Sequence, residues 1–224
     1  MDLNGFKERL QEIIRLYFDI KQLVLLIEHT DPEGKLPLPT INELRNAFDH
    51  FMRFLAPIYG IRKVEDIESL EGSVEKYLSK QLDKIESHLY RTGFDVFDLY
   101  FLNFKEFLEK FENNYTPEEI QAGIPDYWSK IKPRINDIEK RFSETKSGKD
   151  SGLSHEFIAK QFKEFQMHYQ TIDEIWKEIE SHIESIEAYR SRSKKWKRRR
   201  FLLYFLIGIL SSIIGGLIVY ILLG

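Results

Sequence analysis

Apolar residues recur at steps of three and four along nearly the whole chain, and that spacing predicts one α-helix after another. The first covers residues about 5 to 29 and ends at DPEGKLPLPT, where three prolines and a glycine make a loop. Thr40 or Asn42 then caps a second helix, whose stripe is Leu44, Ala47, Phe48, Phe51, Leu55 and Ile58. A third, from about Val64 to Tyr90, carries Ile67, Leu70, Val74, Leu78, Ile85 and Leu89 and stops near Gly93. A fourth, aromatic helix runs from Phe94 to about Phe111. In TPEEI, Thr116 caps a short helix, Pro117 suits its first turn and Glu119 completes a capping box; Gly123 and Pro125 end it. A further helix runs from Asp126 to about Phe142, bent or restarted at Pro133. SETKSGKDSG, residues 143 to 152, reads as a flexible linker. No alternating pattern is long enough for a sheet, so the fold class is all-α.

Beyond the linker the pattern tightens. Ile158, Phe162, Phe165, Tyr169, Ile172, Trp176, Ile179, Ile183 and Ile186 follow alternating steps of four and three, the seam of a left-handed supercoil. Such a helix can pack inside its own bundle or pair with a copy of itself. From Phe201 to Gly224 there is no charged residue, enough for one transmembrane helix across a hydrocarbon core of about 30 Å. The expected organisation is a helical bundle at 1–145, a linker at 146–153, a long amphipathic stalk helix with a basic collar at 154–200, and a tail anchor at 201–224.

Charge changes the picture at the membrane end. Arg190 to Arg200 holds eight basic residues and no acid. Lysine and arginine beside a span stay on the cytoplasmic side, so the N-terminal region is expected in the cytoplasm. The collar at 190–200 and the span at 201–224 are expected to contact the lipid bilayer, with anionic headgroups at the collar and Trp196 in the interfacial layer. All 36 acids precede Arg190, against 25 basic residues there, so the region before the collar carries about −11. An acidic domain is a poor general binder of nucleic acid, and any RNA contact must be local. Gly208, Ser212 and Gly216 recur every four residues, a small-residue ridge suited to self-association in the membrane.

Several chemistries are excluded. There is no cysteine, hence no disulfide, thiolate nucleophile or cysteine-ligated zinc. No GxxxxGK[ST], GxGxxG or HExxH occurs, and no cofactor is expected. Glu164 with His168, and Glu178 with His182, are i, i+4 pairs that flank the heptad seam and read as a solvated edge with no metal. His88, in ESHLYR, reads as helix surface.

The remaining candidate is in NELRNAFDHFMRFL, residues 42 to 55. Arg45 and His50 lie five positions apart on an amphipathic helix, with Asn46 after the arginine and Asp49 before the histidine. At 100° per residue, Arg45 falls about 90° to one side of the stripe centre near Phe48 and Phe51, and His50 about 130° to the other. Asn46 and His50 share a face with Arg53 one turn on, a polar surface open to a partner chain. Read plainly, Arg45 with Asp49 and Asp49 with Arg53 are ordinary i, i+4 ion pairs.

The segment ELRNAFDHFMRFL resembles the HEPN superfamily, whose signature is an arginine, commonly followed by Asn, Asp or His, and a histidine four to six residues later. The resemblance covers about a dozen residues closely, and roughly the first 110 in helix order. It implies a helical bundle that dimerises so that two motifs meet in one cleft. Many such domains are metal-independent endoribonucleases of bacterial and archaeal defence; others are inactive or bind nucleotides. Carried over, Arg45 holds the scissile phosphate, His50 transfers a proton for attack by the ribose 2′-hydroxyl, and Asn46 orients them. The residue types suit those tasks, a planar guanidinium for phosphate oxygens and an imidazole that titrates near neutrality.

The expected protein is thus a membrane-anchored HEPN-like endoribonuclease effector, a homodimer acting on RNA under an unknown regulatory protein. The alternative is a non-catalytic, membrane-tethered helical scaffold.

Overall fold

The structure is a computed structural model that describes residues 4–30, 36–146 and 155–223. Among them there is no strand. A short 3-10 turn, Asn4–Phe6, leads into α1 (Lys7–Thr30), followed by α2 (Leu38–Ile58), α3 (Val64–Glu71), α4 (Val74–Asn114), α5 (Pro117–Gly123), a π-helical segment at Tyr127–Ile131, α6 (Lys132–Lys146) and α7 (His155–Leu223). The expected linker lies largely outside the described residues, α6 taking its first four positions.

Local chemistry explains most boundaries. α2 starts at Leu38, earlier than Thr40 or Asn42, because Pro39 fits a first turn that has no use for its missing N–H. Thr40 is buried inside the helix instead of capping it. At α5 the Thr116 hydroxyl accepts from the Glu119 N–H at 3.3 Å, and the Glu119 carboxylate accepts from the Thr116 N–H at 3.0 Å, so the capping box is complete. Before Pro133, the Ile131 N–H reaches back five residues to the Asp126 carbonyl. The proline removes the donor that an α-helix would direct at the Ser129 carbonyl, and the widened turn absorbs the defect.

Two glycines exchange their expected roles. The apolar pattern predicts a third helix that runs through Gly72 and stops near Gly93. Instead Gly72 takes a left-handed φ of 85° and closes α3, while α4 continues unbroken past Gly93. Gly93 serves a close approach: a β-carbon there would stand 2.3 Å from a ring carbon of Phe162.

The chain forms two compact units, one of Met1–Glu109 with Asp137–Asp173, the other of Lys110–Asn136 with Glu174–Gly224. Each unit takes up part of α7. In the first unit α1 buries Ile13, Leu16, Ile20, Leu23 and Ile27, steps of three and four on one face. The aromatic half of α4 packs on α6 and α7: Phe97 stacks on Phe165 at 5.6 Å, and Phe101 on Phe142 at 4.1 Å. Pairs of this kind add about 0.5–1.5 kcal/mol each beyond area burial. On α7, the row Phe165, Ile172, Ile179 and Ile186, spaced by seven, is wholly buried.

In the second unit Gly123 abuts Ile186, whose backbone nitrogen lies 3.0 Å from where a β-carbon would sit. Arg190, the first residue of the expected collar, is engaged here: its Nε lies 3.2 Å from Glu119, and its Nη2 donates to the Asn114 carbonyl at 2.8 Å. The C-terminal part of α7 is long and apolar enough to cross a membrane, and residues 201–216 are exposed. Arg200 stacks near Trp196 and donates to the Tyr204 hydroxyl at 2.9 Å.

Candidate functional site

The sequence places the apolar stripe of α2 around Phe48, yet Phe48 is 60% exposed. The buried row is Thr40, Ala47 and Phe54, with Pro57. Seven-residue spacing keeps that row on one side of the helix, so the face in contact with the rest of the unit is turned by roughly 70–80° from the expected one. Glu43 and His50 fall beside it. Arg45 falls on the far side, exposed, about 140° from His50 around the helix. Asn46, between them, is half-buried. A single copy of α2 therefore keeps Arg45 and His50 apart.

What His50 meets is α4. Its Nδ1–H donates to Gln81 Oε1 at 2.8 Å, and Gln81 is only 4% exposed, so the amide is a fixed partner. With the proton held on Nδ1, Nε2 is left as the ring nitrogen that can accept one. The ring of His88 lies over that of His50, centroids 5.3 Å apart and planes within 13°. His88 in turn donates from Nδ1 to Glu43 Oε2 at 2.6 Å, while Arg91 reaches the same oxygen at 4.0 Å. The sequence puts His88 at the helix surface; in the fold it is half-buried and doubly partnered. Glu43, Gln81 and His88 carry no local motif. Only the seven-residue step from Glu43 to His50, and from Gln81 to His88, hints that each pair shares a helix face.

Electrostatics keep His50 neutral. Burial is the largest influence and lowers its pKa below the ordinary value; the bond to Gln81 opposes this, and Lys84, His88 and Arg53 lower it further. Arg53 also pairs with Asp49 at 2.8 Å, the ordinary i, i+4 contact expected there. Lys84 is exposed on α4. The arrangement thus offers a neutral imidazole with a free lone pair, a second imidazole against it, and two cations close by. Such a set can take up a proton beside an anionic group.

A second feature of this unit is apolar. Ile13, Ile14, Tyr17, Leu44, Ala47, Phe48, Phe51, Ile85 and Leu89 line a cavity of about 400 Å³ between α1, α2 and α4. Elsewhere, burial and Arg141 lower the pKa of His168, and His182 donates from Nδ1 to the Glu178 carbonyl at 2.8 Å. Among the described residues no three potential metal ligands gather. No protein-family model, curated protein or solved structure matches this chain.

Proposed function

We propose that the protein is a membrane-anchored HEPN-like endoribonuclease that cuts RNA without a metal, working as a homodimer in a prokaryotic defence or stress response under a regulatory partner. α7 tethers it through 201–224 and the basic residues that follow Arg190, with the N-terminal region in the cytoplasm. The observation that supports this reading best is His50, a half-buried imidazole kept neutral, with Nδ1 held by Gln81 and cations beside it. This is the state a general base needs near neutral pH.

Arg45 enters from a second copy. Arg45 and His50 flank the face formed by Asn46, Asp49 and Arg53, each about 70° from its centre. If two copies meet along that face, related by a two-fold axis parallel to α2, Arg45 of one subunit stands on the same side as His50 of the partner subunit. The offset along the helix is about 7.5 Å, within reach of an arginine and a nucleotide between them. Arg45 then holds the phosphate, His50 takes the 2′-hydroxyl proton, and Asn46 orients the ribose phosphate.

The scaffold alternative rests on a different observation. Ile41, Phe48 and Met52 form an exposed apolar ridge on α2, and such a ridge also suits a protein partner. One experiment separates the readings. The full chain in lipid nanodiscs is incubated with single-stranded RNA and chelator, beside Arg45→Ala and His50→Ala. Cleavage lost in both variants supports the nuclease. No cleavage by any sample, with the protein folded and dimeric, rejects it and leaves the scaffold.

A further inference from the structure

The two stacked imidazoles extend the nuclease reading, and the role they suggest for His88 rests on it. We infer that His88 is the second proton-transfer group of the same reaction, donating to the leaving oxygen while His50 removes a proton from the nucleophile, and that Lys84 contacts the phosphate between them.

Hydrogen-bond accounting separates the two rings. Both have Nδ1 engaged, His50 to a neutral amide and His88 to a carboxylate. Each therefore has Nε2 left for substrate, but the two partners suit different tasks. A neutral amide oxygen fixes a tautomer and adds no charge, which serves a base. A carboxylate on Nδ1 is the partner that an imidazolium needs while its Nε2 gives up a proton, which serves an acid. The two rings also stand together, centroids 5.3 Å apart and planes within 13°. Lys84 and Arg53 are the cations whose charges bear on His50, and Arg53 is already paired with Asp49. Lys84 is exposed and lies four residues, about one helical turn, before His88 on α4, so the two share a helix face.

The step balances as a transphosphorylation. His50 Nε2 accepts the 2′-hydroxyl proton as the 2′-oxygen forms a bond to phosphorus. The bond from phosphorus to the 5′-oxygen breaks, and that oxygen takes the proton from His88 Nε2. The products are a 2′,3′-cyclic phosphate and a 5′-hydroxyl end, with His50 protonated and His88 neutral; no water, metal or redox partner is consumed.

The test uses the full chain in nanodiscs with two substrates, a diribonucleotide and a nucleoside 3′-(4-nitrophenyl phosphate), whose leaving group needs no proton. His88→Ala is expected to slow the diribonucleotide by about 100-fold and the nitrophenyl ester by less than about 3-fold, whereas His50→Ala slows both. Lys84→Gln is expected to raise KM for both. Equal losses on the two substrates in His88→Ala, or none on either, would overturn the inference while leaving the nuclease reading intact. Failure of the unaltered protein to cleave either substrate overturns both. His88→Gln, which keeps a hydrogen-bond donor towards Glu43, guards against a folding artefact and should reproduce the split between substrates at an unchanged melting temperature.

Discussion

His50 donates to Gln81 across 2.8 Å, from a half-exposed ring to an amide that water scarcely reaches. This bond supports the protonated form of His50, against burial, Lys84, His88 and Arg53. Followed by NMR in the full chain, His50 should therefore titrate below the ordinary histidine value. Gln81→Leu should lower it further, and Lys84→Gln should raise it. A His50 that titrates at or above the ordinary value would remove the physical basis for its role as a base.

The same depression links to stability. A histidine whose pKa is lower folded than unfolded contributes stability that is present above the unfolded value, about 6.5, and lost as pH falls through the folded value. His50 and His168 both shift this way. The melting temperature should fall between about pH 7.5 and about pH 5, and the double variant His50→Gln, His168→Gln should flatten that slope, as read by circular dichroism.

If Arg45 of one subunit works with His50 of the other, a mixing experiment has a distinctive outcome. Arg45→Ala and His50→Ala subunits, each inactive alone, should regain activity when co-expressed in equal amounts. Half of the dimers are then mixed, and each holds one complete site of two, so the recovery is about a quarter of the unaltered rate. No recovery would place the two side chains in one subunit's site or in none.

Gly93 and Gly123 test the packing. Alanine at Gly93 meets the ring of Phe162, which can shift, and should cost about 1–3 kcal/mol. At Gly123 the obstacles include the Ile186 backbone at 3.0 and 3.1 Å, which moves less readily, so Gly123→Ala should be the more damaging in a urea titration. Equal tolerance of both would contradict the close approaches.

The membrane assignment has its own check. The full chain should remain with membranes through alkaline carbonate, and a chain truncated before Phe201 should be released. Protease added outside spheroplasts should leave the N-terminal region intact if the collar faces the cytoplasm.

Much of the helical plan is written locally. The α1 stripe, the Thr116 box and the seven-residue row of α7 are visible because each depends on neighbours a few positions away. α2 shows where this fails. Its apolar residues, from Ile41 through Phe48 to Ile58, cover so broad an arc that their average direction lies roughly 70–80° from the buried row of Ala47 and Phe54. The mean of the arc marks where apolar side chains are, and contact depends on where another helix lies. The candidate site has the same limit. Arg45, Asn46 and His50 can be picked out by spacing, but Gln81 and His88 join His50 from a helix more than 30 positions along, and no local pattern encodes that meeting. Gly72 and Gly93 defeat local reasoning for a related cause. A break and a close approach both call for a missing side chain, and only Phe162 distinguishes them.

Phe94 and Phe97 of α4 find Phe162 and Phe165 only after the chain has grown by a further 65 to 70 or so residues. At about 5–20 residues per second, a nascent chain holds that aromatic face bare for roughly 3 to 14 seconds before its cover emerges. During biogenesis this half of α4 is thus a natural point of demand for a chaperone, and a chain that stalls between α4 and α7 leaves its stickiest surface uncovered.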